Sequence, residues 1–209
     1  PEQQRRELRL AGLLHDVGHT AFSHGAEPIT KRYLKVRHEE LGEKTMRRVG
    51  VPKLLKRHGV DFEKVVGLSR GEGLGEIVTD YADRIDYLLR DGRQVGVKPD
   101  VLRSFKLSVE RLMPNFRLQE GKLCVTPAGE SEVKKLADVR SKFYSQVYFL
   151  RISMFTRHLL RNALEHGIKS KAIRVRDLVE KSDDKIMKKL ADKNTPGVNQ
   201  FGVVSVLHG

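Results

Sequence analysis

The sequence predicts a nearly all-helical protein that carries one small β-hairpin, on three observations. Apolar residues recur at three- and four-residue spacing through most of the chain, as in Leu8, Ala11 and Leu14. Glycines and prolines punctuate these stretches rather than filling them. Only one place alternates apolar and polar residues around a two-residue turn: Phe116 and Leu118, then Glu120-Gly121, then Leu123 and Val125.

The elements follow in order. Residues 5–17 read as a helix, with Leu10 and Leu13 widening its buried stripe and Gly18 ending it. A short turn or helix carries Ala21 to Glu27, and Pro28 punctuates. Residues 38–49 read as a charged helix with Leu41, Thr45 and Val49 on one side. Residues 51–68 hold one or two short helices broken by Gly59 and Gly67, and Ser69 to Gly75 is a polar loop. A helix over 76–91 is ended by Gly92, and another spans Leu102 to Leu112. After the hairpin comes one very long helix, straight or bent, over 129–166, ended by Gly167. A basic helix follows over about 174–191. The loop Asn194-Thr195-Pro196-Gly197 leads to a strand-like run of Val203, Val204, Val206 and Leu207. The expected organisation is one domain over 1–168 and a basic helical extension over 169–209. The first helix lacks a capping residue and the last apolar run stops abruptly, so both ends are expected to be cut.

Composition narrows the class. Of 209 residues, 39% are hydrophobic and 32% charged, ordinary values for a globular domain. No apolar run reaches the length of a membrane span, and no secretory leader opens the chain, so a cytoplasmic protein is expected. The single cysteine, Cys124, cannot close an internal disulfide. The net charge of +13 favours polyanionic partners, either nucleic acid or phosphorylated small molecules. A solvated basic surface is the bland alternative, because no groove-reading motif accompanies the charge.

Chemistry concentrates in the segment Leu14-His15-Asp16-Val17-Gly18-His19-Thr20-Ala21-Phe22-Ser23-His24. Of eight histidines in the chain, four fall between residues 15 and 38: His15, His19, His24 and His38. His15 and Asp16 sit at the end of an apolar helix, where both can reach one ion, and imidazole with carboxylate suits Mn, Fe, Ni, Zn or Mg. Polar residues that merely end a helix explain one histidine and fit this density poorly.

This string, with Glu27 beyond it, resembles the HD-domain phosphohydrolases, in particular the branch containing the deoxynucleoside-triphosphate triphosphohydrolases. The resemblance implies an HD-domain helical bundle. It implies a divalent metal held by His15, Asp16 and a distant aspartate, together with a further histidine upstream of the pair. Only fourteen residues precede His15 and none is histidine, so that ligand is expected to lie before Pro1. By the same resemblance, Glu27 and His38 form the acid–histidine pair beside the attacking water, and His19 and His24 contact the scissile phosphate. Their chemistry suits the task, since a carboxylate orients an imidazole and raises its basicity.

A second string is Ala82-Asp83-Arg84-Ile85-Asp86-Tyr87-Leu88-Leu89-Arg90-Asp91. On a helix Asp83, Tyr87 and Asp91 share one face, while Ile85, Leu88 and Leu89 supply burial. From spacing alone, a ligand-facing stripe and a salt-bridged surface face are equally good readings. The string is similar to the same family's second signature. That makes Asp83 the last metal ligand, Arg84 a phosphate cation, Tyr87 a nucleotide contact and Asp91 the acceptor for the sugar 3′-hydroxyl. Arg140, Tyr144 and Tyr148 repeat the spacing, and two half-buried packing tyrosines are the plain alternative. The resemblance makes Arg140 a phosphate-binding arginine and Tyr148 the residue packing against deoxyribose. Leu150 stands where a histidine commonly follows that tyrosine by two positions.

The function these readings imply is metal-dependent hydrolysis of deoxynucleoside triphosphates to deoxynucleoside and triphosphate. The same fold acting on nucleoside monophosphates or cyclic dinucleotides is the alternative, and a non-catalytic basic regulatory or nucleic-acid-binding protein is the third. Expected partners are the nucleotide, further copies of the chain in a homo-oligomer and, from charge, nucleic acid. No membrane partner is expected.

Overall fold

The computed structural model describes residues 2–120 and 122–191. Gly121, the loop at 194–197 and the apolar run at 203–207 lie outside the described residues. In chain order the helices are α1 (Glu2–Leu14), α2 (Glu27–Leu34), α3 (His38–Arg48), α4 (Val51–Arg57), α5 (Phe62–Ser69), α6 (Asp83–Gln94) and α7 (Pro99–Leu112). The strands β1 (Phe116–Gln119) and β2 (Lys122–Val125) follow, and then α8 (Glu130–Phe143), α9 (Arg151–Lys169), α10 (Asp177–Glu180) and α11 (Asp183–Ala191). The expected helical architecture with one hairpin is therefore observed. The chain forms two compact units, one from residues 2–15 and 50–150, the other from residues 16–49 and 151–191.

In the first unit α1 packs against α5 through Ala11 and Val65, both buried. Glu7 shares that face at 3% exposure, satisfied by Lys64 Nζ at 2.6 Å and Gln3 Nε2 at 3.0 Å. Leu13, expected in the buried stripe, is 74% exposed. The reason is angular: Glu7, Ala11 and His15 repeat every four residues along one stripe, and Leu13 lies about 200° around the helix from Ala11.

The helices α6, α7 and α8 enclose a second cluster of Leu88, Phe105, Leu112, Leu136 and Phe143. Gly92 does not end α6, which runs on to Gln94. A Cβ at Gly92 would lie 2.7 Å from Leu102 Cδ2 and 3.2 Å from the Phe143 ring, so this glycine permits close helix packing. The hairpin pairs Phe116 with Val125 and Gln119 with Lys122. Glu120 takes φ 50°, the left-handed conformation such tight turns require.

The long helix expected over 129–166 is two helices. A π-helical segment, Tyr144–Tyr148, follows α8, and α9 restarts at Arg151. The Phe149 N–H donates to Tyr144 O at 2.8 Å, the five-residue bond that widens a turn. A second π-helical segment, Ile77–Ala82, leads into α6.

The second unit packs α2, α9, α10 and α11 around Ala26, Ile29, Leu160, Leu164, Ile173 and Leu178. The basic stretch expected as one helix is α10 and α11, separated by extended Lys181. It contributes Leu178, Ile186 and Leu190 to this core. Its charge is partly internal, for Asp177 is fully buried and holds three of the cations. Lys189 Nζ and Lys181 Nζ each approach it to 3.0 Å and Arg174 Nη2 to 3.2 Å, while the Arg174 backbone N–H donates at 3.1 Å. No helix among the described residues is long and apolar enough to cross a membrane.

Burial alone would raise the Asp177 pKa, but the donors from Lys189, Arg174 and Lys181 outweigh it and hold the carboxyl far below the usual range. A depressed folded pKa contributes stability that is complete above the unfolded value of about 3.9 and is lost as the pH falls below it. Asp177→Asn removes a buried charged acceptor from three cations that themselves reach solvent, and should cost roughly 1–3 kcal/mol at neutral pH. Thermal melts of the variant should also lose the part of the acid destabilisation, below about pH 4, that the wild type owes to this group. A melting curve unchanged at pH 7 would refute the assignment.

Candidate metal centre and active site

The stripe that buries Glu7 and Ala11 ends on His15, just past α1. Its Nδ1 lies 2.8 Å from Gly12 O. A carbonyl only accepts, so Nδ1 donates there, and Nε2 is the nitrogen that could serve as a metal ligand. Within the same unit, His15 Nε2 lies 3.8 Å from Asp83 Oδ1. Asp16 follows by a peptide bond, and one ligand atom from each of His15, Asp16 and Asp83 lies within 4.8 Å of the other two. An ion about 2.1 Å from each ligand spaces neighbouring ligands by roughly 3 Å and opposite ones by about 4.2 Å. The three side chains are therefore a donor set, one imidazole and two carboxylates, that can hold a divalent metal. Asp83 opens α6 directly after the π-helical segment, a distortion that recurs at functional sites.

In the second unit the remaining histidines converge. His38 stands at the start of α3 and Glu27 at the start of α2. Glu27 grips two rings, with Oε1 3.2 Å from His38 Nδ1 and Oε2 3.1 Å from His24 Nδ1. Burial would raise the Glu27 pKa, but the hydrogen bonds from His24 and His38 prevail and lower it. His19 stacks on His38 with centroids 4.4 Å apart and 13° between planes, and meets His24 edge-on at 4.8 Å. Its Nε2 lies 3.3 Å from Asp16 Oδ1 and its Nδ1 3.1 Å from Ser23 Oγ. The Asp16 hydrogen bond raises the His19 pKa against the opposing effect of burial.

The first unit gathers the other candidates. The Tyr148 hydroxyl donates to Asp91 Oδ2 at 2.5 Å, joining the third string to the second. Burial, then that carboxylate, pushes the phenol pKa strongly upward, so Tyr148 is a proton donor at every physiological pH. The Arg140 guanidinium lies 4.7 Å above the Tyr144 ring, and its Nη2 is 3.4 Å from the Tyr144 hydroxyl. Tyr87 also hydrogen-bonds Arg140, and its ring lies 6.2 Å from that of Tyr148. Arg84 forms a short ion pair with Asp80, a partner that the i, i+4 spacing makes legible but that the sequence reading passed over. Glu76, Asp80, Tyr81, Arg84 and Arg140 line a cavity of about 390 Å³.

Residues 2–91, which hold both the His15-Asp16 pair and Asp83, match the HD domain family. The likeness to HD domains is confined to this segment. The chain is 36% identical over 92 residues to the uncharacterized protein YdhJ of Bacillus subtilis, a match covering 43% of the chain and 28% of that protein. It is 26% identical over 181 residues to the uncharacterized protein MJ1154 of Methanocaldococcus jannaschii, covering 84% of the chain and 37% of the relative. The chain thus spans well under half the length of these relatives. A crystal structure of a phosphohydrolase from Bacteroides thetaiotaomicron superposes with a TM-score of 0.75 at 19% identity, over 99% of this chain and 58% of that one. That likeness is one of fold.

Within the matched segment, Gly18 has a role other than ending a helix, and its φ is not left-handed. A Cβ there would lie 1.8 Å from His38 O and 2.4 Å from Gly42 N. The turn after His15-Asp16 thus lies backbone-to-backbone against α3, and a methyl group must push α3 or the turn aside. Gly42, which completes the contact, carries no signature of its own in the sequence. Gly18→Ala should lower stability by about 1–3 kcal/mol through overpacking. It should also perturb the His19 and His38 ring resonances at temperatures where the protein stays folded. A variant with wild-type melting temperature and unshifted histidine signals would contradict the contact.

Proposed function

We propose that this chain is the catalytic part of a metal-dependent phosphohydrolase acting on deoxynucleoside triphosphates, releasing the deoxynucleoside and inorganic triphosphate. The observation that carries the reading is His15. Its Nδ1 is held by Gly12 O, and its Nε2 faces Asp83, sixty-eight positions away, with Asp16 alongside. The phosphohydrolase name of one structural neighbour supports the same class.

A bound divalent metal supplies Lewis-acid polarisation of phosphate oxygens and makes water more acidic. This chain's own residues do the rest. His38, oriented through Nδ1 by Glu27, removes a proton from the attacking water. The water oxygen joins the α-phosphorus, the bond to the 5′-oxygen breaks, and a proton passes to that oxygen as the deoxynucleoside leaves. His19 and His24 donate to phosphate oxygens, and Arg140, fixed by Tyr87 and Tyr144, binds the polyphosphate. Asp91, with one oxygen held by Tyr148, accepts from a sugar hydroxyl through the other, and Tyr148 packs on the deoxyribose.

One observation favours a second reading, a phosphohydrolase of monophosphates or cyclic dinucleotides. Arg84 is committed to Asp80, which reduces the cations available to a polyphosphate.

The protein at its full natural length should release inorganic triphosphate from at least one deoxynucleoside triphosphate, and Asp16→Ala should abolish the release. Glu27→Gln should lower kcat by about 10²-fold, the usual worth of an oriented base. Activity confined to monophosphates or cyclic dinucleotides, with metal bound, would replace the first reading by the second. Tyr148→Ala, measured on paired ribo- and deoxyribonucleotides, should narrow the deoxyribose preference by roughly tenfold or more. An unchanged ratio would remove Tyr148 from the sugar site.

A further inference from the structure

The turn between His19 and His24 has an unusual backbone. Phe22 has φ 62° and Ser23 φ 45°, two consecutive non-glycine residues in the left-handed region. Bulky side chains rarely adopt that conformation, and it persists only where surrounding structure holds it. Three contacts from the last third of the chain do so. Leu178 O accepts from the Ala21 N–H at 2.8 Å, Asp183 Oδ1 accepts from the Phe22 N–H at 3.0 Å, and Arg161 Nε donates to Gly25 O at 3.1 Å. Only the middle contact depends on a carboxylate, and it lands on the first strained residue.

Asp183 is well anchored for this task. It opens α11, whose Ile186 and Leu190 are buried in the same core as Ala21, Ala26 and Ile29. At the first turn of that helix its negative charge faces the favourable end of the helix dipole. The peptide it holds leads straight into Ser23, whose hydroxyl touches His19, and His24, whose ring touches Glu27. Releasing the Phe22 N–H lets both turn residues relax toward ordinary backbone angles, and Ser23 and His24 would swing with them.

We propose that Asp183 is a positioning residue for the histidine turn: its carboxylate locks the Phe22 peptide so that His24 stays on Glu27 and Ser23 stays on His19. The catalytic consequence rests on the function proposed above, whereas the conformational consequence does not.

The test uses the protein at full natural length with Asp183→Ala and Asp183→Asn. Asparagine keeps the Oδ1 acceptor and drops the charge. Histidine ring resonances are recorded at one fixed pH without substrate, and kcat and KM are measured for triphosphate release. Asp183→Ala should shift the His19 and His24 resonances and lower kcat about tenfold, with KM within about twofold, because aim rather than affinity is lost. Asp183→Asn should restore both. If the alanine variant does not fold, Asp183→Ser, which suits a helix start but is too short to reach the Phe22 N–H, carries the same expectation. Unshifted ring resonances in the alanine or serine variant, or an asparagine variant as impaired as alanine, overturn the proposal. If the wild type releases no triphosphate while the ring resonances respond as expected, the function reading fails and the positioning role stands.

Discussion

Everything at the histidine cluster depends on one steric constraint: no side chain fits between the turn at Gly18 and helix α3. With a hydrogen in place of Cβ, the turn rests on the His38 carbonyl and the Gly42 amide. That contact sets the separation at which His19 and His38 stack and at which Glu27 can reach two rings with its two oxygens. The imidazoles are thus ordered by backbone packing first and by hydrogen bonds second. Rings ordered in this way would lose little further freedom on binding a ligand.

Periodicity made much of the architecture legible. Helical spacing located most helices, and alternation around Glu120-Gly121 located the hairpin. The glycines were legible only as punctuation. Gly18 and Gly92 both read as helix ends, yet both serve close approach, because a sequence does not distinguish a glycine needed for its φ from one needed for its missing Cβ. Leu13 misled for a related reason: an apolar residue near a stripe is not on it, and about 200° of rotation leaves it in solvent. At the site, the adjacency of His15 and Asp16 was readable from local chemistry. The approach of Asp83 and the grip of Glu27 on His38 came only from the resemblance to a family. Gly42 and Asp183 left no trace, since their partners are far away in sequence and their residue types are common at surfaces.

The second and third strings both adjoin π-helical turns, Ile77–Ala82 before Asp83 and Tyr144–Tyr148 at the tyrosines. The i, i+4, i+8 argument for residues 140, 144 and 148 assumes an α-helical period, and a widened turn displaces its last member from that stripe. Tyr148 nevertheless reaches Asp91, because the contact spans two helices and the wider turn redirects the phenol. A regular helix would have continued the stripe; the irregular one brings together an acid, a phenol and a guanidinium with different tasks.

Each compact unit is assembled from two separated stretches of chain, and this sets an order of events during synthesis. The first unit is complete once residue 150 has been made. The second needs residues 16–49 to wait for α9, α10 and α11, so the histidine turn has no Leu178 or Asp183 to hold it until almost the whole described chain has emerged. Contacts of such long sequence separation form late and slowly. On the ribosome, the helical scaffold around α6–α8 can therefore mature while the histidines remain unarranged. A nascent chain stalled before residue 183 would hold Asp83 in its helix while the turn from His19 to His24 still lacked its carboxylate anchor.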